Sequence, residues 1–91
     1  MSRLTSLLKT FIFFCLSFII SYSLAAQTSD SYNNLAKDAY DKKDYNLCIE
    51  YCTKSISVTA NGWAYWERAA AYYSLYKYNE SLEDYGKAMS Y

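Results

Sequence analysis

Tyr65-Trp66-Glu67-Arg68-Ala69-Ala70-Ala71-Tyr72-Tyr73-Ser74-Leu75-Tyr76-Lys77-Tyr78-Asn79-Glu80-Ser81-Leu82-Glu83-Asp84-Tyr85-Gly86-Lys87-Ala88 answers, position for position, to a stretch 33 residues earlier. That offset superimposes Tyr32 on Tyr65, Ala36 on Ala69, Tyr40 on Tyr73 and Tyr45 on Tyr78. It also brings Asn46 onto Asn79, Glu50 onto Glu83, Lys54 onto Lys87 and Ser57 onto Ser90. Ile49 meets Leu82, and Ile56 meets Met89. A period in this range marks a stacked repeat, whose units bury their apolar faces against one another.

Each copy reads as a pair of helices. Tyr32, Leu35, Ala36 and Ala39 follow the i, i+3, i+4, i+7 spacing of one helix face, with Ser29, Asp30 or Ser31 as caps for its start. Lys42-Lys43-Asp44 interrupts the pattern, and Asp44 suits the cap of the next helix. That helix turns Tyr45, Cys48, Ile49, Cys52, Ser55 and Ile56 inward. Asn61-Gly62 reads as its stop, through the left-handed backbone that glycine tolerates. The second copy places Tyr65, Ala69, Tyr72 and Leu75 on its first helix. Tyr78, Ser81, Leu82, Tyr85, Ala88 and Met89 line its second. Glu50 and Lys54, like Glu83 and Lys87, stand four apart in the favourable order, worth a few tenths of a kcal/mol per pair. The expected fold is all-α, two helix-turn-helix units stacked as a short α-solenoid.

These two runs resemble tetratricopeptide repeats, over about residues 29–91. Ala36 and Ala69, Cys48 and Ser81, Ser55 and Ala88 stand where that family uses small residues for close helix approach. Tyr45 and Tyr78 stand at its aromatic turn position. Ala60 replaces the usual Pro, and Tyr76 holds a turn position usually given to Gly. The resemblance implies repeat 1 over 29–61, repeat 2 over 62–91, and a groove lined by the first helix of each. Carried over, that groove exposes Asp30, Asn33, Lys37, Tyr40 and Asp41, then Trp63, Trp66, Ala70, Tyr73 and Ser74. Trp63, Trp66 and Tyr73 are its expected anchors, because aromatic side chains desolvate large areas with few rotors to freeze. The implied partner is a protein or peptide. The family's carboxylate-gripping arrangement is not expected, since Glu67 stands where it needs Asn and would repel a bound carboxylate.

Residues 1–26 differ from the rest. Arg3 and Lys9 precede an apolar run from Phe11 to Leu24, followed by Ala25-Ala26, and all four Phe residues lie within it. A basic start, an apolar run and small residues before a cut near Ala25 or Ala26 describe a secretory signal peptide, hence an exported protein. The alternative is an uncleaved anchor over 10–26 and a membrane-tethered scaffold. Without Arg3 and Lys9 the chain carries 7 basic and 9 acidic residues, dispersed, which argues against nucleic acid as a partner.

The chain has no His, and its 2 glycines cannot form a phosphate-cradling loop. No enzyme, cofactor or metal site is expected. Cys48 and Cys52 read as small buried side chains, four apart on one helix, where a disulfide fits poorly. Asn79-Glu80-Ser81 is a glycosylation sequon whose Ser81 is expected to face the core. A second reading is an assembly piece that self-associates through an uncapped aromatic C-terminal end, where Tyr85, Met89 and Tyr91 leave apolar surface.

Overall fold

The computed structural model describes residues 2–91, with side chains between 2 and 27 described only at positions 5, 6, 8–13 and 15. The leader expected over 1–26, with its cut near Ala25 or Ala26, lies largely outside those described side chains. Four helices follow one another: α1 (Ser2–Asp41), α2 (Tyr45–Val58), α3 (Gly62–Ser74) and α4 (Tyr78–Ala88). Consecutive helices pack together, and α1 also touches α3. This is an all-α fold of two helical hairpins stacked as a short solenoid. Among the described residues no helix is long and apolar enough to cross a membrane.

The first helix departs from expectation. No cap forms at Ser29, Asp30 or Ser31, because α1 runs unbroken through them. Nothing between Leu24 and Ser31 is Pro or Gly, so no residue there interrupts the hydrogen-bond ladder. Along its N-terminal part Leu8, Phe11, Ile12 and Phe13 are exposed.

The two hairpin turns are the same turn built twice. Lys43 and Tyr76, 33 residues apart, both take a left-handed backbone, with φ of 62° and 63°. Around Lys43, its own N–H donates to Tyr40 O (2.9 Å) and Asp44 N–H donates to Ala39 O (2.9 Å). Around Tyr76, its N–H donates to Tyr73 O (3.0 Å) and Lys77 N–H to Tyr72 O (2.9 Å). This pair of bonds is the Schellman closure, which satisfies the last carbonyls of a helix. Each turn is braced by an edge-to-face tyrosine pair, Tyr40 on Tyr45 at 5.4 Å and Tyr73 on Tyr78 at 5.3 Å between centroids. Asp44 caps α2 as expected, accepting from Leu47 N–H at 3.3 Å.

The junction between hairpins corrects the reading of Asn61-Gly62 as a glycine stop. No glycine has positive φ. Helix α2 ends instead at extended Thr59, and Asn61 is the N-cap of α3, its Oδ1 accepting from Ala64 N–H at 2.9 Å. Gly62 matters for space. A Cβ there would lie 3.2 Å from both Ala88 O and Tyr91 Cβ, so its lack of a side chain lets the end of α4 close on the start of α3.

Among the described residues the buried apolar ones are all small: Ala36, Ala39, Cys48, Cys52, Ala64, Ala69 and Ala71. Close helix approach leaves the larger side chains half-buried at the margins, with Tyr40, Tyr45, Leu47, Ile49 and Tyr51 packed around the centre. Cys48 and Cys52 are buried and unlinked, as expected. Contact with Cys48, together with burial, pushes the Cys52 thiol well above its ordinary range, so it stays protonated. Ser81 is buried too, donating to Ala69 O at 2.9 Å. Several expected core residues are exposed instead: Leu35, Tyr78, Leu82 (75%) and Met89. Helix α2 lies between two neighbours, whereas α4 contacts only α3, so its outer face has nothing to bury it.

Candidate ligand groove and its polar supports

Three groups of polar contacts fix the helices that carry the groove. The first joins α1, α2 and the start of α3. Ser29 and Ser55 are buried, with their Oγ atoms 3.0 Å apart. Asn61 Nδ2 reaches Ser55 Oγ (3.2 Å), Ser29 Oγ (3.4 Å) and Thr59 O (2.8 Å). Asn33 Nδ2 donates to Asn61 Oδ1 at 3.3 Å, and Ser55 Oγ donates to Asn33 Oδ1. One asparagine therefore caps α3 and ties it to both preceding helices. The sequence did carry a signal for it, an Asn directly before a helical pattern, but Gly62 drew the reading toward a stop.

The second is an ion pair that spacing does not reveal. Arg68 grips Asp84 with two bonds, Nε–Oδ2 at 2.6 Å and Nη2–Oδ1 at 2.9 Å, and its Nη1 donates to Thr53 Oγ1 at 3.1 Å. The Asp84 side chain is 4% exposed. The pair locks α3 to α4 and α2, and the Asp84 contact raises the Arg68 pKa further. Partners sixteen residues apart leave no periodic trace. On the outer surface Glu50–Lys54 (3.4 Å) and Glu83–Lys87 (3.1 Å) form as expected.

The third lies on α1 itself, where Lys37 pairs with Asp41 at 3.3 Å, both exposed. Both are electrostatic neighbours of Glu67 on α3, a residue 6% exposed. Burial raises its pKa first; Asp41 raises it further, while Lys37 lowers it.

The expected groove residues do not all meet. Asn33, Lys37 and Trp63, with Asp30 and Asn34, surround a hollow of about 490 Å³ between α1 and α3. Trp63 and Trp66, with Gly62, Tyr85, Ala88, Met89 and Tyr91, line a second hollow of about 640 Å³ at the end of the stack. Trp63 is the ridge shared by the two. Tyr40 and Tyr73 belong to the turn braces, although Tyr73 remains 60% exposed. Cations already sit on tyrosines elsewhere: Lys54 over Tyr32 and Tyr51, Arg68 and Lys87 over Tyr65. Among the described residues Trp63, Trp66 and Tyr73 carry none.

Fold and surface together define a short helical solenoid with an aromatic, partly acidic face. Comparison with known proteins gives one similarity. Over 59 residues the chain is 41% identical to heat shock protein STI1 of Saccharomyces cerevisiae, a match covering 63% of this chain and 10% of that protein. The chain thus spans about a tenth of the relative's length. No family model matches, and no solved structure matches.

Proposed function

We propose that this chain is a non-enzymatic, tetratricopeptide-type module that binds a peptide or partner helix between α1 and α3. The observation that carries this reading is the exposed aromatic ridge of Trp63 beside Asn33 and Lys37, with Trp66 on its far side, on helices joined by buried polar contacts. Exposed Trp at a concave hollow is where binding energy concentrates. Similarity to a heat shock protein agrees with a role in handling other proteins. The basic start and apolar run over residues 1–26 support export with removal near Ala25 or Ala26, the alternative being an uncleaved anchor.

The test is Trp66→Ala against captured partners. Trp66 is 52% exposed, so truncation should leave helix content unchanged while weakening binding by about 2 kcal/mol or more. A matched change at Glu50, on the outer surface, should do little. Equal effects from both substitutions, or loss of helicity on changing Trp66, would mean that the ring serves packing.

A second reading is favoured by the hollow at the end of the stack. Its lining residues Gly62, Trp66 and Ala88 correspond, 33 residues back, to Ser29, Asn33 and Ser55, which seat the start of α3 through Asn61. The same seat at the C-terminal end is apolar and open, and it suits docking of another helical unit.

A further inference from the structure

The carboxylate of Glu67 is buried without a polar partner among the described residues. No hydrogen bond or ion pair reaches it among the described residues, although it is 6% exposed. No sealed-off side-chain oxygen or nitrogen lacks a partner among those residues. The Glu67 oxygens therefore keep a small share of contact with solvent. Glu67 follows Trp63 by four residues on α3, so it shares the helix face of a residue that lines the hollow between α1 and α3. Asp41 and Lys37 of α1 are among its electrostatic neighbours. Lys37 does not neutralise it, being paired with Asp41.

An unpaired carboxylate held out of water destabilises a fold unless something cationic meets it. Asp30 lines the cleft beside Lys37, and the pairing of Lys37 with Asp41 leaves Asp30 and Glu67 as its unpaired charges among the described residues, both negative. The rings along it suit a cation as well. Trp63, which lines the cleft, and Trp66, beyond that ridge, are exposed and carry no Lys or Arg among the described residues, whereas Tyr32, Tyr51 and Tyr65 already do.

Resting on the groove reading above, we propose that the cleft selects a basic peptide, with Glu67 as the specificity-determining acceptor for one Lys or Arg side chain of the partner. The guanidinium or ammonium donates to the Glu67 oxygens. The stem lies along the indole ridge, and Asp30 and Asp41 steer the approach. A peptide with a carboxylate at the same place meets like charge in a low-dielectric cleft and is rejected.

The experiment uses the full chain and three blocked peptides, acetyl-Ala-Leu-X-Leu-Ala-amide with X as Arg, Gln or Glu, read by Trp fluorescence. The expected order is Arg tightest, Gln weaker and Glu weakest, with the Arg preference shrinking as salt is raised. Glu67→Gln, which keeps the shape, should lose tenfold or more for the Arg peptide and leave the Gln peptide unchanged. Retained binding of the Gln peptide shows that the variant groove is folded. Equal affinity for the three peptides, or an Arg preference that survives Glu67→Gln, overturns the charge assignment and leaves the groove reading standing. Binding of the Arg peptide that Trp63→Ala does not weaken removes the groove reading itself. Absence of binding by all three peptides overturns both.

Discussion

Asn61 and Glu67 show how single side chains set opposite balances in this fold. Asn61 supplies one helix cap and several tertiary bonds from one amide. Asn61→Ala removes the cap and strips partners from the buried Ser29 and Ser55, so a loss of about 2 kcal/mol is expected in urea unfolding. Glu67 works the other way. Its pKa is raised in the folded state, by burial first and then by Asp41. The folded chain then holds an extra proton between the ordinary carboxylate range and that raised value. Stability falls as pH rises through that window, and the full penalty is present at neutral pH. Glu67→Gln is therefore expected to melt higher than the parent at neutral pH, by an amount that narrows toward about pH 4. Paired melts across that range check it. A parent as stable as the variant throughout would mean that the carboxylate is compensated. A gain in stability with a loss of basic-peptide affinity marks a residue kept for binding.

At the level of elements, the repeated turn carries a repeated strain. Lys43 and Tyr76 both occupy the left-handed region without being glycine, at a cost of about 1–2 kcal/mol each. Tyr76 recovers part of this from its ring contact with Tyr78 at 6.3 Å. Lys43 is exposed and has no such contact. Lys43→Gly is accordingly expected to raise stability by about 1 kcal/mol, the relief of backbone strain outweighing the added freedom of the unfolded chain. Tyr76→Gly should gain less. Equilibrium unfolding of the two variants measures the difference, and a loss at Lys43 would show that the turn is not strained.

For the molecule as a whole, small buried residues and open ends set the limit. Ala and Cys bury little apolar area, while Leu82, Met89 and Tyr91 remain exposed at the C-terminal end. Two hairpins give each helix few neighbours, and stacked repeats commonly need three or more units. The chain from Gln27 onward is expected to be marginally stable and to associate. Its melting temperature should then fall on dilution, because association stabilises by mass action. A cooperative melt above about 60 °C from a strict monomer, independent of concentration, would show that two hairpins suffice.

Local spacing picked out the helical segments from Tyr32 onward and the buried face of Cys48, Cys52 and Ser81, because helix geometry maps spacing onto faces. Residue type marked the Asp44 cap. Spacing missed that α1 continues unbroken from Ser2. It could not place Arg68 against Asp84, or gather Ser29, Asn33, Ser55 and Asn61, since those contacts join residues whose separation follows no local rule. It also put Leu82 and Met89 inside. The pattern records which face a repeat would bury against a neighbour, whereas only the tertiary structure decides whether a neighbour is there. The same limit holds for the groove. Sequence named Trp63, Trp66, Asn33 and Lys37. Packing divided them between two hollows and buried Glu67, because the crossing of α1 and α3, absent from any local pattern, fixes which side chains share a space.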